Sequence, residues 1–430
     1  MEKKINFNIL SFLIISLFPF FLITGPFLSD LFCILLGLIF IIYNFKNKNW
    51  FELINIYKIY FYFFLIFYLY ININSLFSFN PKISFSSSLP FIRIILFIFA
   101  LSFFIFNYKK TYKGFYIIFF LSICFLFIDS ISQFFFEKSI FGNKQLVSNR
   151  ISSFFGDELI MGSYVSRLLP IVLGCSFLIN IKNKHFFNFV ILLISGILIM
   201  LSGERLAAFY YFGLFVIYFL LTKKYFFKYI ILLSFSFFIF IFYNPIIIER
   251  FYKNTLMQFS ERNSVFSYRH TLHYKTAYDM FLDKKILGHG IKSFRYKCSD
   301  KRYENKIKNK QDLDNKRKDS TNANYVREFK NGCNTHPHNI YFEFLSELGI
   351  IGFVFIIIIF SYIIFKLIYF SFKNIFTKKF NEIEVGKSLI LTGIFLQLFP
   401  LVPSGSYFNN WMMIIFHLSI GFYLSSLKLK

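Results

Sequence analysis

Long apolar runs alternate with short polar connections along most of the chain. Each run is about as long as a helix that crosses a bilayer, roughly 20 residues. Twelve runs can be separated, centred near residues 15, 35, 63, 98, 123, 169, 194, 214, 239, 359, 395 and 418. A soluble chain of this length would break such stretches with polar residues at helical period, to give each helix a wet face. The pattern therefore predicts an all-α polytopic membrane protein of about twelve transmembrane helices. It also divides the chain into residues 1–249 with spans one to nine, a polar loop over 250–338, and residues 339–430 with an interfacial helix and spans ten to twelve.

The connections alternate in charge. "NFKNKN" (44–49), "NYKKTYKG" (107–114), "IKNK" (181–184), "TKKYFFK" (222–228), "FKNIFTKK" (372–379) and the terminal "KLK" are basic. "TGPFLSD" (24–30), "FSFNPKISFSSSLP" (77–90) and "PSGSYFNN" (403–410) are not strongly so. The positive-inside rule places the first set in the cytoplasm, together with both termini, and an even number of spans agrees with that. Met1 to Lys4 is basic and precedes a run long enough to span, so it reads as a retained first helix and not as a cleaved signal.

Composition adds little to this reading except through charge. The chain has 430 residues, is 56% hydrophobic and only 16% charged, and carries a formal net charge of +25. Part of that excess anchors cytoplasmic loops to anionic lipid. The rest lies in the loop over 250–338, which is outside by topology and basic nonetheless. Long loops translocate regardless of charge, so its basicity points to an anionic partner. No nucleic-acid partner is expected, and there is no glycine-rich nucleotide loop.

That loop has three parts. Residues 263–294 read as an amphipathic helix on Val265, Leu272, Met280 and Phe281, stopping near "LGHG". Residues 299–332 are rich in Lys, Asn and Asp, with little to bury. Cys298 and Cys333 bracket them and are candidates for a disulfide if the loop is extracytoplasmic. Then "CNTHPHN" leads into "HNIYFEFLSELGIIG" (338–352). Cys33, Cys124 and Cys175 lie in apolar runs and read as packing residues.

Polar residues from distant parts of the chain fall on the same side of this topology. Arg93 lies near the end of span four, Arg150, Asp157 and Glu158 precede span six, and "SGER" (202–205) is a tight turn ending at Arg205. Arg269 lies on the loop helix, and His336, His338 and Glu343 precede span ten. Charges at a membrane boundary are costly and invite a functional reading. An interfacial arginine such as Arg93 also reads as a snorkelling anchor, and Arg269 as a solvated helix face. Arg167, deeper in span six, needs a partner such as Asp157 or Asp129. His336 and His338, with His270, His273 and His289, have the spacing of zinc ligands, but no established metal-site frame accompanies them. No metal and no cofactor is expected.

Together these motifs resemble the O-antigen ligase and O-antigen polymerase superfamily. Its signature of His, Asn/Ser/Gln, nine residues, Gly, two residues and Gly/Thr/Tyr is met at His338, Asn339, Gly349 and Gly352. "LSGERLAAFYY" resembles the family's turn with arginine, and "YRHTLHYKTAYDMFLDKKILGHGIKSF" resembles its loop helix. The resemblance covers the C-terminal two thirds, and the first 110 residues by topology only. It implies a GT-C-like membrane glycosyltransferase with one large periplasmic loop between spans nine and ten, in the bacterial inner membrane. Such enzymes move a glycan from undecaprenyl pyrophosphate to a sugar hydroxyl, without a metal. In ligases the acceptor is a sugar of the lipid A core, and in polymerases it is a growing glycan. By residue match, the essential arginines are Arg205 and Arg269 and the essential histidine is His338. Arg150, Arg93, His336 and Glu343 then become candidate substrate-binding residues.

The chemistry of these side chains agrees. A departing pyrophosphate gains negative charge, and guanidinium groups bind phosphate in a bidentate way without losing their proton. A neutral imidazole can take the acceptor proton, and a helix dipole at His338 would keep it neutral. From Ile340, the apolar Ile340, Tyr341, Phe344, Leu345 and Leu348 share one helical face, and Glu343 and Glu347 the other. This predicts an amphipathic interfacial helix, with Gly349 and Gly352 permitting a bend into span ten. Glu343 either orients the imidazole or is an exposed anionic cap. A transporter of lipid-linked sugars is the competing class, but it would show related halves and mid-membrane charges, and neither is evident.

Overall fold

A computed structural model describes residues 7–48, 57–144, 150–179, 181–222, 267–303, 332–376 and 381–429. Among them the architecture is helical, with one isolated bridge between Lys138 and Lys144. The helices are α1 (Phe7–Ile23), α2 (Pro26–Asn47), α3 (Lys58–Leu76), α4 (Pro81–Asn107), α5 (Lys110–Phe136), α6 (Met161–Leu178), α7 (Lys184–Ser202) and α8 (Arg205–Thr222). They are followed by α9 (Tyr268–Asp283), α10 (Ile340–Phe376), α11 (Glu382–Gln397) and α12 (Asn410–Ser426). Eight of the described helices are long and apolar enough to cross a membrane: α2 to α8, and α10 over Ile340–Phe370. α1 is apolar but shorter, at 17 residues. The protein is thus a polytopic helical membrane protein. Eleven of the twelve expected centres fall inside these helices; the ninth, near residue 239, lies outside the described residues.

α6 is the axis of the bundle. It is buried on nearly every side and packs on α11, α7 and α5, while α12 packs on α4 and α1 on α5. The α6–α11 crossing is close because it is made of glycines. A Cβ on Gly174 would lie 2.8 Å from the carbonyl oxygen of Gly386, and one on Gly386 would lie 2.9 Å from that of Gly174. Without a hydrophobic force between helices in lipid, such backbone approach gives the packing its strength. The outward faces of α2, α3 and α10 carry exposed Ile, Leu and Phe, as lipid contact requires.

The loop helix is shorter than the apolar pattern implied. It is capped by Ser267, whose side chain accepts from the amide of His270 at 3.3 Å, and it ends at Asp283, before the "LGHG" turn. It buries Leu272, Tyr274, Ala277 and Met280. Ala277, Met280, Phe294, Cys298, Tyr303 and Cys333 make a small core of their own. Cys298 and Cys333 are joined by a disulfide across 35 residues. The Lys- and Asn-rich stretch between them lies mostly outside the described residues, as does Val265.

α10 departs from the amphipathic expectation. Glu343 and Glu347 are both buried, only 2% exposed. Glu343 receives one backbone amide and a hydroxyl, and Glu347 two backbone amides, each from another segment, so burial does not leave their oxygens unbonded. Ser406 Oγ and the amide of Tyr407 (2.8 Å) donate to Glu343, and the amides of Lys292 (2.8 Å) and Phe294 (3.1 Å) donate to Glu347. The helix bends at Gly349, where φ is 63°.

Candidate active site

The sequence around His338 builds a rigid corner. Asn339 caps α10: its Oδ1 accepts from the amides of Tyr341 (3.0 Å) and Phe342 (3.4 Å). Its Nδ2 donates to the carbonyl of Pro400 at 2.9 Å, tying the helix start to the loop before α12. His338, just ahead of the cap, takes a left-handed backbone with φ 58°. Its carbonyl accepts from the amide of Ser404 at 2.8 Å and from Tyr274 Oη at 3.4 Å. Three separate segments, α9, α10 and the 398–409 loop, thus hold one residue.

The imidazole of His338 stands among three others. Ring centroids lie 4.1 Å away for His336, 5.3 Å for His273 and 5.5 Å for His270. His273 Nδ1 is 2.7 Å from the carbonyl of Gly332, and His270 Nδ1 is 2.9 Å from Ser267 Oγ. His338 Nε2 is 2.8 Å from Asn334 Nδ2. The amide of Thr335 donates to Asn334 Oδ1 at 2.7 Å, which fixes the side chain with its NH2 toward the ring. The neutral imidazole therefore accepts at Nε2 and keeps its proton at Nδ1. Burial, the neighbouring imidazoles and the charge of Arg269 push His338 down to about 2. Burial leads again for His336 and His270, each brought down to about 4. The sequence expectation assigned neutrality to a helix dipole; the structure adds burial and the neighbouring imidazoles as causes.

Arg205 and Arg269 come from two different helices. Arg205 opens α8 just after Gly203, whose φ of 64° lets the chain turn sharply. Arg269 sits in the first turn of α9. Both are exposed. Both of their charges act on His270, and that of Arg269 also acts on His338. Two cations remote in sequence thus share one imidazole cluster.

The turn before Arg205 is braced by Glu204. Its Oε1 accepts from the amides of Gly162 (2.8 Å) and Ser163 (3.3 Å), and its Oε2 from Ser163 Oγ at 2.5 Å. These are orphan donors at the start of α6, where a carboxylate is well placed. Burial raises this carboxyl, while Ser163 and the charges of Arg150 and Arg167 hold it down. Arg150 closes the same knot, donating to the carbonyls of Ser202 and Leu159, each at 3.1 Å. The carboxylate near Arg167 is therefore Glu204, neither of the two aspartates expected. Asp129 instead accepts from the amide of Ile140 (2.8 Å) and Ser153 Oγ (2.6 Å), and Asp157 is exposed. The Arg167 guanidinium lies 5.2 Å over the ring of Tyr210.

The remaining candidates fall elsewhere. Arg93 pairs with Asp30 on α2 at 3.0 Å. Glu343 is neither an exposed cap nor bonded to the imidazole, since it clamps Ser406 and Tyr407. His336 is adjacent to His338, with Nδ1 2.9 Å from Thr335 Oγ1. His289 is apart, its Nε2 3.0 Å from the carbonyl of Met280. Among the described residues no group of three or more His, Cys, Asp or Glu is arranged to hold a metal ion. Sequence reasoning did not single out Asn334, Tyr274, Ser404 or Glu204. Asn334, four residues before His338 in the same short segment, was the one with a local signal.

Fold and site define a polytopic helical membrane protein with a histidine and arginine cluster at one end of the bundle. Residues 190–357 match the family model described as O-antigen ligase. This is the superfamily whose motifs the sequence resembles, and the matched stretch contains Arg205, Arg269, His336 and His338. A comparison with curated proteins gives no match.

Proposed function

We propose that the protein is a membrane glycosyltransferase of the O-antigen ligase type. It moves a glycan from undecaprenyl pyrophosphate to a sugar hydroxyl of the lipid A core, on the periplasmic side of the inner membrane, with both termini cytoplasmic. The observation that carries this reading is the shared electrostatic neighbourhood of Arg205, Arg269 and the His338 cluster, inside the segment matching the family.

In this mechanism the acceptor oxygen attacks the anomeric carbon of the donor. The bond from that carbon to the pyrophosphate oxygen breaks, and the electron pair leaves with the pyrophosphate. Arg205 and Arg269 bind the departing oxygens and stabilise the growing charge, without a metal. The acceptor proton goes to His338 Nε2, so the acceptor hydroxyl takes the place that Asn334 Nδ2 occupies at 2.8 Å. A bound pyrophosphate is an anion beside the imidazole, and it raises the basicity that burial suppresses.

The test is transfer in vitro from a lipid-linked glycan to a panel of acceptors. A ligase glycosylates lipid A core. Extension of a glycan chain alone would make the protein a polymerase of the same superfamily. Transport of the intact donor without transfer would reject both.

A further inference from the structure

A cavity of about 340 Å3 opens among α3, α10, α11 and α12. It lies at the end of the bundle away from His338. Tyr60, in its wall, is the third residue of α3, whose far end reaches the 284–287 loop through Asn74 and Phe77. Lys366, also in its wall, lies seventeen residues beyond the Gly349 bend. That is roughly 25 Å along a helix.

The wall is aliphatic and aromatic, and its polar atoms serve one another. Tyr60 Oη is 2.6 Å from Tyr362 Oη, which is 3.4 Å from Tyr423 Oη. Water would therefore find few partners inside, and an empty cavity would forfeit dispersion contacts on every side. The rim opens sideways, since Ile59 is 81% exposed and Ile358 50%. In a membrane protein that direction is hydrocarbon. One cation stands in the wall: Lys366, whose Nζ sits 5.6 Å over the Tyr362 ring. No carboxylate is among the described residues that line the cavity.

We propose that this cavity is a lipid site, holding one acyl chain of an anionic glycerophospholipid with its phosphate on Lys366. The apolar wall selects the chain, and Lys366, with no carboxylate beside it in the lining, selects an anionic headgroup over a zwitterionic one. In the orientation proposed above the site faces the cytoplasmic leaflet, opposite the transfer chemistry, and it stands whether or not that chemistry is as proposed.

Native mass spectrometry of the full-length protein, released from vesicles of mixed phosphatidylglycerol and phosphatidylethanolamine, reads this directly. Wild type retains one phosphatidylglycerol. Lys366→Gln weakens that retention roughly fivefold, and Ile394→Trp, which fills the cavity, removes it. Equal retention of both lipids, no retained lipid, or Lys366→Gln behaving as wild type overturns the proposal. If Ile394→Trp fails to fold, the Lys366→Gln comparison decides alone.

Discussion

Gly288 and Gly349 meet backbone to backbone: a Cβ on Gly288 would lie 2.5 Å from the amide nitrogen of Gly349. Both residues have positive φ, 70° and 63°. Around them three hydrogen bonds join the "LGHG" turn to α10. The amide of His289 donates to Ser346 O (3.0 Å), that of Gly290 to Glu347 O (2.8 Å), and that of Ile350 to Lys285 O (2.8 Å). Two motifs sixty residues apart are thus one structural joint, which fixes α9 and α10 together beneath the histidines. Gly349→Ala adds a methyl against the Ile286 carbonyl and a strained backbone, a cost of about 1–3 kcal/mol. Its thermal midpoint should fall and the 284–290 turn should become protease-sensitive; a variant that melts and resists cleavage like wild type would refute the joint.

Arg269 and His338 should be separable from folding. Arg269→Ala or His338→Ala is expected to lower glycan transfer by about 10²–10³-fold or more, the scale of losing one preorganised catalytic group. Membrane insertion and melting should change little for exposed Arg269. Arg269→Lys keeps the charge and loses the bidentate fork, so only partial recovery is expected. Normal glycan profiles in cells carrying either alanine variant would end the mechanism.

The pH profile follows from burial. His338 needs to be neutral to accept a proton, and its surroundings hold it down to about 2 from the ordinary 6.5. Because the folded value is depressed, neutrality persists as pH falls through the usual histidine range. The kcat/KM for donor, which reports the free enzyme, should therefore show no histidine step on the acid side between roughly pH 5 and 8. A fall with a midpoint near 6.5 would show His338 to be exposed and protonatable before donor binds.

The Cys298–Cys333 bridge closes 35 residues next to the site. On chain-entropy grounds such a loop is stabilised by about 3–4 kcal/mol. Both sulfurs are buried in the small core under α9. Reductant should shift electrophoretic mobility of the wild type, and Cys298→Ser should lose that shift and lower the melting temperature. Identical mobility with and without reductant would mean that the bridge does not form in the cell.

How much of the site was legible depends on how local its cause is. The His338–Gly352 motif carried its own bend, because a left-handed backbone at Gly349 needs a residue without a Cβ. Glu343 and Glu347 were misread because their partners, Ser406, Tyr407, Lys292 and Phe294, lie about fifty to sixty residues away in segments without periodic pattern. A carboxylate that accepts backbone amides leaves no mark in the partner sequence, since every residue but proline offers the same N–H. Glu204 was hidden for the same reason, bonded to Gly162 and Ser163 at the start of another helix.

The sequence by itself determined that this is a helical membrane protein, because a bilayer demands long runs of apolar side chains and that demand is met one segment at a time. It also marked His338, Arg205 and Arg269 as candidates, through motifs that resemble a known family's and are local in the chain. Only the tertiary structure decided that His270, His273 and His336 crowd around His338, that Asn334 holds its Nε2, and that burial keeps it neutral. Those facts depend on distances between segments, and such distances are set by packing, not by spacing along the chain.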